Sequence, residues 1–317
     1  APPPAGATTI ATGGVAVVDI APVTTRGLDP MRALAWMLLA CFLFALMNLA
    51  AKGAMRQLPW HEVAAGRAVF GAITIYAWAR ARNISLVVHA RRTQWMRTLA
   101  GIGGMTCGFF ALSRLSMGDA VTLANVTPLL VAIASWRFLR ERSGKGLAVA
   151  MVLGFCGVAL LAGAHLQTGP AVLVGMGMAV LAACFSCVAM LFLRRLGPRE
   201  SAEGVSLHFV GWAAPAMLLV GIGHHVLPSP AALTSLVLAG LTGGAAQIAM
   251  TKAYGLDKAA RVGGVGYSGV VMSQVLAVLV LHEMPTLQQV GGAALVVMSG
   301  LVMVLGALRE QRALVRA

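Results

Sequence analysis

The chain has 317 residues, of which 59% are hydrophobic and only 11% charged, and its mean hydropathy is +0.83. A soluble domain of this length needs far more polar surface to cover its core, so the composition argues for an integral membrane protein. The net charge of +14 would suit a nucleic-acid binder, but the placement of the basic residues gives it a different meaning.

Residues 1–30 are rich in Ala, Pro, Gly and Thr and carry no periodic apolar face. They lack the basic and apolar regions of a signal peptide, and the expectation is a disordered cytoplasmic tail. From Met31 onward, apolar segments follow one another with short gaps. A helix needs roughly 20 mainly apolar residues to cross a bilayer. On that measure ten spans are expected, at about 33–51, 62–79, 96–113, 119–138, 146–164, 172–193, 205–222, 232–252, 261–281 and 287–307. Strand alternation is absent and the runs are too long for a barrel.

The chain also carries one half twice. Ala40-Cys41-Phe42 recurs as Ala183-Cys184-Phe185, 143 residues later, and Met47 with Met190 and Lys52 with Arg195 keep that spacing. Ala111, Leu139 and Glu141 recur as Ala253, Leu281 and Glu283 at an offset of 142. Five spans per half make the second half enter the membrane inverted. The expected fold is therefore an all-α integral membrane protein with ten transmembrane helices in two inverted five-helix repeats. Its parts are a tail at 1–30, repeats at 31–166 and 167–308, and a basic tail at 309–317. Inverted repeats of this kind build secondary transporters, whose substrate site lies between the halves.

With the N-terminus in the cytoplasm, twenty of the 24 Lys and Arg, Arg91, Arg92 and Arg97 among them, fall at inner ends and loops. Lys52, Arg56 and Arg114 fall outside, and Arg67 alone lies within a span. The positive-inside rule then puts both termini in the cytoplasm and the protein in the cell inner membrane. The basic charge is a topology signal with a secondary affinity for anionic lipid, so nucleic acid is not an expected partner. The expected partners are the lipid bilayer and a small-molecule substrate; a homodimer stays open.

Polar residues inside spans mark the expected site. Asn48 lies one turn deeper than Lys52 on the same face, and an amide suits an uncharged or zwitterionic group. Thr122, Asn125 and Thr127 precede Pro128, which frees a backbone carbonyl and is expected to kink its helix. The repeat offset sets Tyr267, Ser268 and Gly269 against this segment. The band is the expected binding site, with Gln247 and Gln274 on its cavity face. Arg67, roughly 9 Å into its span at 1.5 Å per residue, is expected to pair with Glu62 or reach the surface, with direct substrate contact as the alternative, and Arg67, Pro128 and Gly269 are assigned structural or gating roles.

None of the ten acidic residues falls at mid-membrane, so a carboxylate proton relay is unsupported, and a neutral, zwitterionic or weakly charged metabolite is expected. His208 is the only histidine well inside a span. Cys184 and Cys187 form a CxxC with no second pair or histidine partner, so no metal or cofactor is expected. Gly101, Gly103, Gly104, Gly108 and the run Gly263 to Gly269 read as close helix packing. There is no GxxxxGK[ST] loop, so energy comes from a gradient rather than ATP. Neither HExxH nor GxSxG is present, so an enzyme is not expected; a membrane-embedded enzyme or a non-transporting scaffold is the alternative.

Several segments together resemble a known family. Phe44-Ala-Leu-Met-Asn-Leu-Ala-Ala-Lys52, Arg67, Ala111-Leu112 before Asp119-Ala120, Pro128-Leu129-Leu130 through Glu141, and Ala253-Tyr254-Gly255 through Glu283 are similar to the ten-helix EamA-type members of the drug/metabolite transporter superfamily. Val270 stands where the second copy would carry the proline. The resemblance runs from about Met31 to Leu308. It implies alternating access without ATP and a substrate among amino acids, nucleotide-related metabolites, vitamins and drugs.

Overall fold

The computed structural model describes residues 29–134, 147–163, 169–222 and 226–316. The expected tail up to residue 28, the basic run 137–145 with Leu139 and Glu141, and His224-His225 lie outside these residues. The described residues form twelve α-helices and one π-helical segment, with no strand. In chain order they are α1 Pro30–Ala54, α2 Trp60–Ala81, α3 Arg91–Arg114, α4 Met117–Ala124, α5 Thr127–Ala134, α6 Leu147–Gly163, α7 Pro170–Leu196, α8 Ala202–Val220, α9 Pro230–Leu256, α10 Ala259–Val265, α11 Ser268–Leu276, the π-helical turn Ala277–Leu281, and α12 Leu287–Arg316.

Starts are set by local chemistry. Pro30, Pro170 and Pro230 open α1, α7 and α9, where a missing N–H and a fixed φ cost nothing. Side-chain oxygens of Asp29, Ser116, Ser201 and Ser229 cap the first turns of α1, α4, α8 and α9, satisfying orphan N–H groups. Six stretches are long and apolar enough to cross a membrane: α1, α4 with α5, α7, α8, α9, and Arg261–Leu281. Large apolar side chains such as Phe42, Ile73, Leu99 and Leu219 are exposed on outer faces, as lipid-facing surfaces are.

Two expected spans are not continuous. The first breaks at Asn125 and Val126, between α4 and α5; the second breaks at Gly266 and Tyr267, between α10 and α11. Offset by 142, the breaks coincide to within one residue. Each is a turn tightened to i→i+3 hydrogen bonding: Val126 N donates to Leu123 O at 3.2 Å and Gly266 N to Gly263 O at 2.9 Å. Pro128 falls in the first turn of α5, where its lack of an N–H starts a new helix rather than bending an old one. The second break has glycines in place of the proline, and the Cys41 thiol donates from α1 to the freed carbonyls of Val265 and Gly266.

The packing is invariant when the halves are exchanged. α1 lies along α9 and α7 along α3; α2 meets α9 and α8 meets α3; α2 packs on α8 and α6 on α12. The directions are opposed as well. Lys52, near the C-terminus of α1, donates to Leu112 O at 2.8 Å and to Leu115 O at the end of α3. Gly175, near the start of α7, lies against Arg114 and Leu115 at that same end. The C-termini of α1 and α7 therefore point to opposite ends of the bundle. There Arg194 of α7 donates to Tyr254 O at 3.3 Å and Gly255 O at 3.4 Å in α9. Lys52 with Leu112 and Arg194 with Tyr254 are the same contact displaced by 142 residues. The structural counterpart of Lys52 is thus Arg194, not the Arg195 that the 143 spacing indicates.

Beyond α7, Glu200 accepts from the backbone N–H of His89 at 3.0 Å and of Ala90 at 2.9 Å, tying two connecting segments together. Partial burial pushes its carboxyl up, but these N–H groups and His89 outweigh that and hold it below the usual carboxylate range.

Candidate functional site

A cavity of about 340 Å³ lies where the two halves meet. Its walls come from α1, α2, α3, both segments around the first break, α7, α8, α9, and the second break with α11. Met37, Met47, Met105, Met190 and Met250 supply much of the apolar wall, with Phe44, Phe109 and Phe209. Polar groups reach it at Asn48, Arg67, Arg97, Asn125, Thr127, Ser186, Gln247, Tyr254 and Ser273.

The expected site residues divide. Asn48, Asn125 and Gln247 line the cavity, as do Arg67, Pro128 and Gly269. Asn125 donates through Nδ2 to Val121 O at 2.8 Å, one turn back. Thr122, Tyr267, Ser268 and Gln274 do not line it. The Thr122 hydroxyl donates back to Gly118 O at 2.8 Å and that of Ser268 to Val265 O at 2.9 Å. Gln274 packs against Gly118. Tyr267 is buried on Gly300 of α12, with its hydroxyl beside Ser299. The second break falls opposite Asn125 as the offset indicates, but it turns Tyr267 toward α12 instead of the cavity.

Arg67 neither pairs with Glu62 nor reaches the surface. It is 4% exposed, and its guanidinium donates to thioether sulfurs, Met47 Sδ at 3.2 Å and Met105 Sδ at 3.1 Å. Glu62 instead accepts from Val226 N at 2.7 Å. Arg97, counted above as an inner-end cation, is 2% exposed and lies 4.1 Å over the Phe209 ring. The sequence signal for it was its place seven residues into an apolar helix, like that of Arg67 in α2; the neighbouring Arg91 and Arg92 masked it. His208 is outside the cavity, with Nδ1 2.9 Å from Thr98 Oγ1 and its ring edge-on to Trp95.

The two halves that frame this cavity each carry a family match. Residues 31–163 and residues 173–305 both match the EamA-like transporter family. The chain belongs to that family. A pseudopaline exporter of Pseudomonas aeruginosa is 25% identical over 262 residues, 82% of this chain and 92% of the exporter. A riboflavin transporter of Vibrio cholerae is 24% identical over 277 residues, 85% of this chain and 92% of that protein. Solute carrier family 35 member G1 of Homo sapiens is 25% identical over 285 residues, 85% and 78% of the two chains. A crystal structure at 22% identity has a TM-score of 0.70 and covers 86% of this chain and 98% of its own, which shows a shared fold. This member of the EamA-like family is a multi-pass membrane protein of a transporter family.

Proposed function

We propose that the protein is a secondary transporter that carries a small organic metabolite across the cell inner membrane by alternating access, without ATP. The observation that carries this reading is the central cavity, bounded by both halves and by both broken helices. Helices interrupted where they meet a cavity supply backbone groups and hinges there, and two half-bundles of opposite direction rock about such a site. The relatives named above include an exporter and a riboflavin transporter, which supports an organic solute. Both termini are proposed to be cytoplasmic, on the asymmetry of Lys and Arg.

The test is flux in proteoliposomes against a labelled panel of amino acids, nucleosides and vitamins. Asn125→Ala is expected to lower the flux of the transported solute about tenfold, the loss of one cavity hydrogen bond of roughly 1.4 kcal/mol. Tyr267→Phe removes a buried hydroxyl of a residue that does not line the cavity and is expected to leave flux unchanged. Absence of flux for every solute, or normal flux in Asn125→Ala, goes against the function and the site respectively. Orientation is read separately in a cysteine-free background. A cysteine at the exposed Leu227 should label from outside intact cells, and one at the exposed Arg199 only after permeabilisation.

A further inference from the structure

We propose that the cavity is built for an organic acid, a solute whose carboxylate is gripped by Arg97 with Arg67 adding charge, and whose apolar body lies along the methionine wall. The inference rests on the transport reading and assigns its substrate class.

Arg97 carries the argument. It is 2% exposed, it lines the cavity, and its Nε and Nη1 have no hydrogen-bond partner. Among the described residues, it stacks on the face of Phe209 at 4.1 Å. A guanidinium stays charged in a protein and offers donors in a planar fork that matches a carboxylate. The ring covers one face of that plane and leaves the edge donors for something else. The seat is shaped for this stack: a Cβ on Gly101 would lie 2.7 Å from Arg97 Nη1 and 2.7 Å from the Phe209 ring.

Arg67 adds a second buried cation whose hydrogen bonds end on sulfur, a weak acceptor that carries no charge. Among the described residues, no acidic side chain lines the cavity. The buried carboxylates are engaged elsewhere: Asp119 with Ser116 and Gln289, Glu203 with Lys252 at 2.9 Å, and Asp257 with Arg261 at 3.1 Å. Two buried charges with no counter-charge are costly, and a bound anion removes that cost where a neutral solute leaves the donors unsatisfied. This narrows the neutral, zwitterionic or weakly charged class that the sequence suggested to an anionic solute. Around the anion site the wall is apolar, and the side-chain amides of Asn48 and Gln247 form no hydrogen bond among the described residues, so both stay available to a second polar group.

The test uses the purified full chain and three probes that share one ring system and differ in charge: indole-3-acetate, indole-3-acetamide and tryptamine. Ligands that bind the folded state raise its melting temperature. Indole-3-acetate is expected to raise it, and the amide and the amine are not. Arg97→Gln should weaken acid binding at least tenfold, whereas Arg97→Lys, which keeps charge and loses the fork, should retain part of it. The melting temperature without ligand reports whether each variant folds. If Arg97→Gln does not, Gly101→Ala, which pushes the guanidinium from its seat, should weaken acid binding severalfold. An equal response to amide or amine, an acid response that survives Arg97→Gln, or no response to any of the three overturns the proposal. Flux of a neutral solute alone would overturn the substrate class and leave transport standing. Acid binding without any flux would do the reverse.

Discussion

Gly244→Leu is expected to remove most of the folded protein, while Gly71→Ala, across the same contact, is tolerated. α2 and α9 run parallel and touch backbone to backbone where Gly71 meets Gly240 and Gly244. A Cβ on Gly244 would lie 2.9 Å from Gly71 O and 3.1 Å from Gly71 Cα. These are main-chain atoms in the middle of a helix and have nowhere to move. A Cβ on Gly71 would find its nearest neighbour at 3.5 Å, ordinary contact distance. Overpacking costs about 1–3 kcal/mol for small additions, and a leucine here separates the helices outright. Without a hydrophobic force between helices in lipid, close backbone approach is much of what holds them together. Monodisperse yield and melting temperature in detergent check the result; a Gly244→Leu variant with wild-type values would mean that the α2–α9 contact is dispensable.

Lys52→Met and Arg194→Met are each expected to cost about 2 kcal/mol, the range for a charge-assisted hydrogen bond to buried carbonyls. Each residue covers the carbonyl-rich C-terminus of a helix in its own half, where a cation also meets the negative end of the helix dipole. Methionine keeps most of the stem and removes only the donors. The two caps sit at opposite ends of the bundle, so the double variant should lose the sum, about 4 kcal/mol. Arg195→Met is the control. Its guanidinium lies 5.8 Å from the Phe192 ring and caps no carbonyl among the described residues, so it should cost under about 0.5 kcal/mol. A larger loss for Arg195→Met than for Arg194→Met would favour the 143 alignment over the contact-based one. Unfolding of the purified protein measures all four variants.

Much of the fold was legible because lipid makes the rules strict. Backbone groups must pair within a segment, so long apolar runs are helices, and the twofold recurrence of motifs announced two related halves. The breaks were half legible. Pro128 marked the first, but its role is to open a helix after Asn125 rather than to kink one. The second has no proline, and its glycine run read as close helix packing rather than as a break. Asn48, Asn125 and Gln247 were expected at the site because an amide inside an apolar run has few reasons to be there, and they line the cavity. Tyr267, Ser268, Gln274 and Thr122 were expected for the same reason, yet a polar side chain is just as content folding back on its own helix, as the Thr122 and Ser268 hydroxyls do.

The sequence by itself determined that this chain is helical, membrane-embedded and doubled, because composition, run length and repetition are local properties that no packing alters. Only the tertiary structure decided which cations face the cavity. Arg97 and Arg91 are six residues apart in one helix, and nothing in their order says that Phe209, more than a hundred residues on, will hold one of them against a glycine seat. The side of a helix that becomes a wall depends on which helices pack against it. That choice belongs to the contacts between the halves, not to either segment alone.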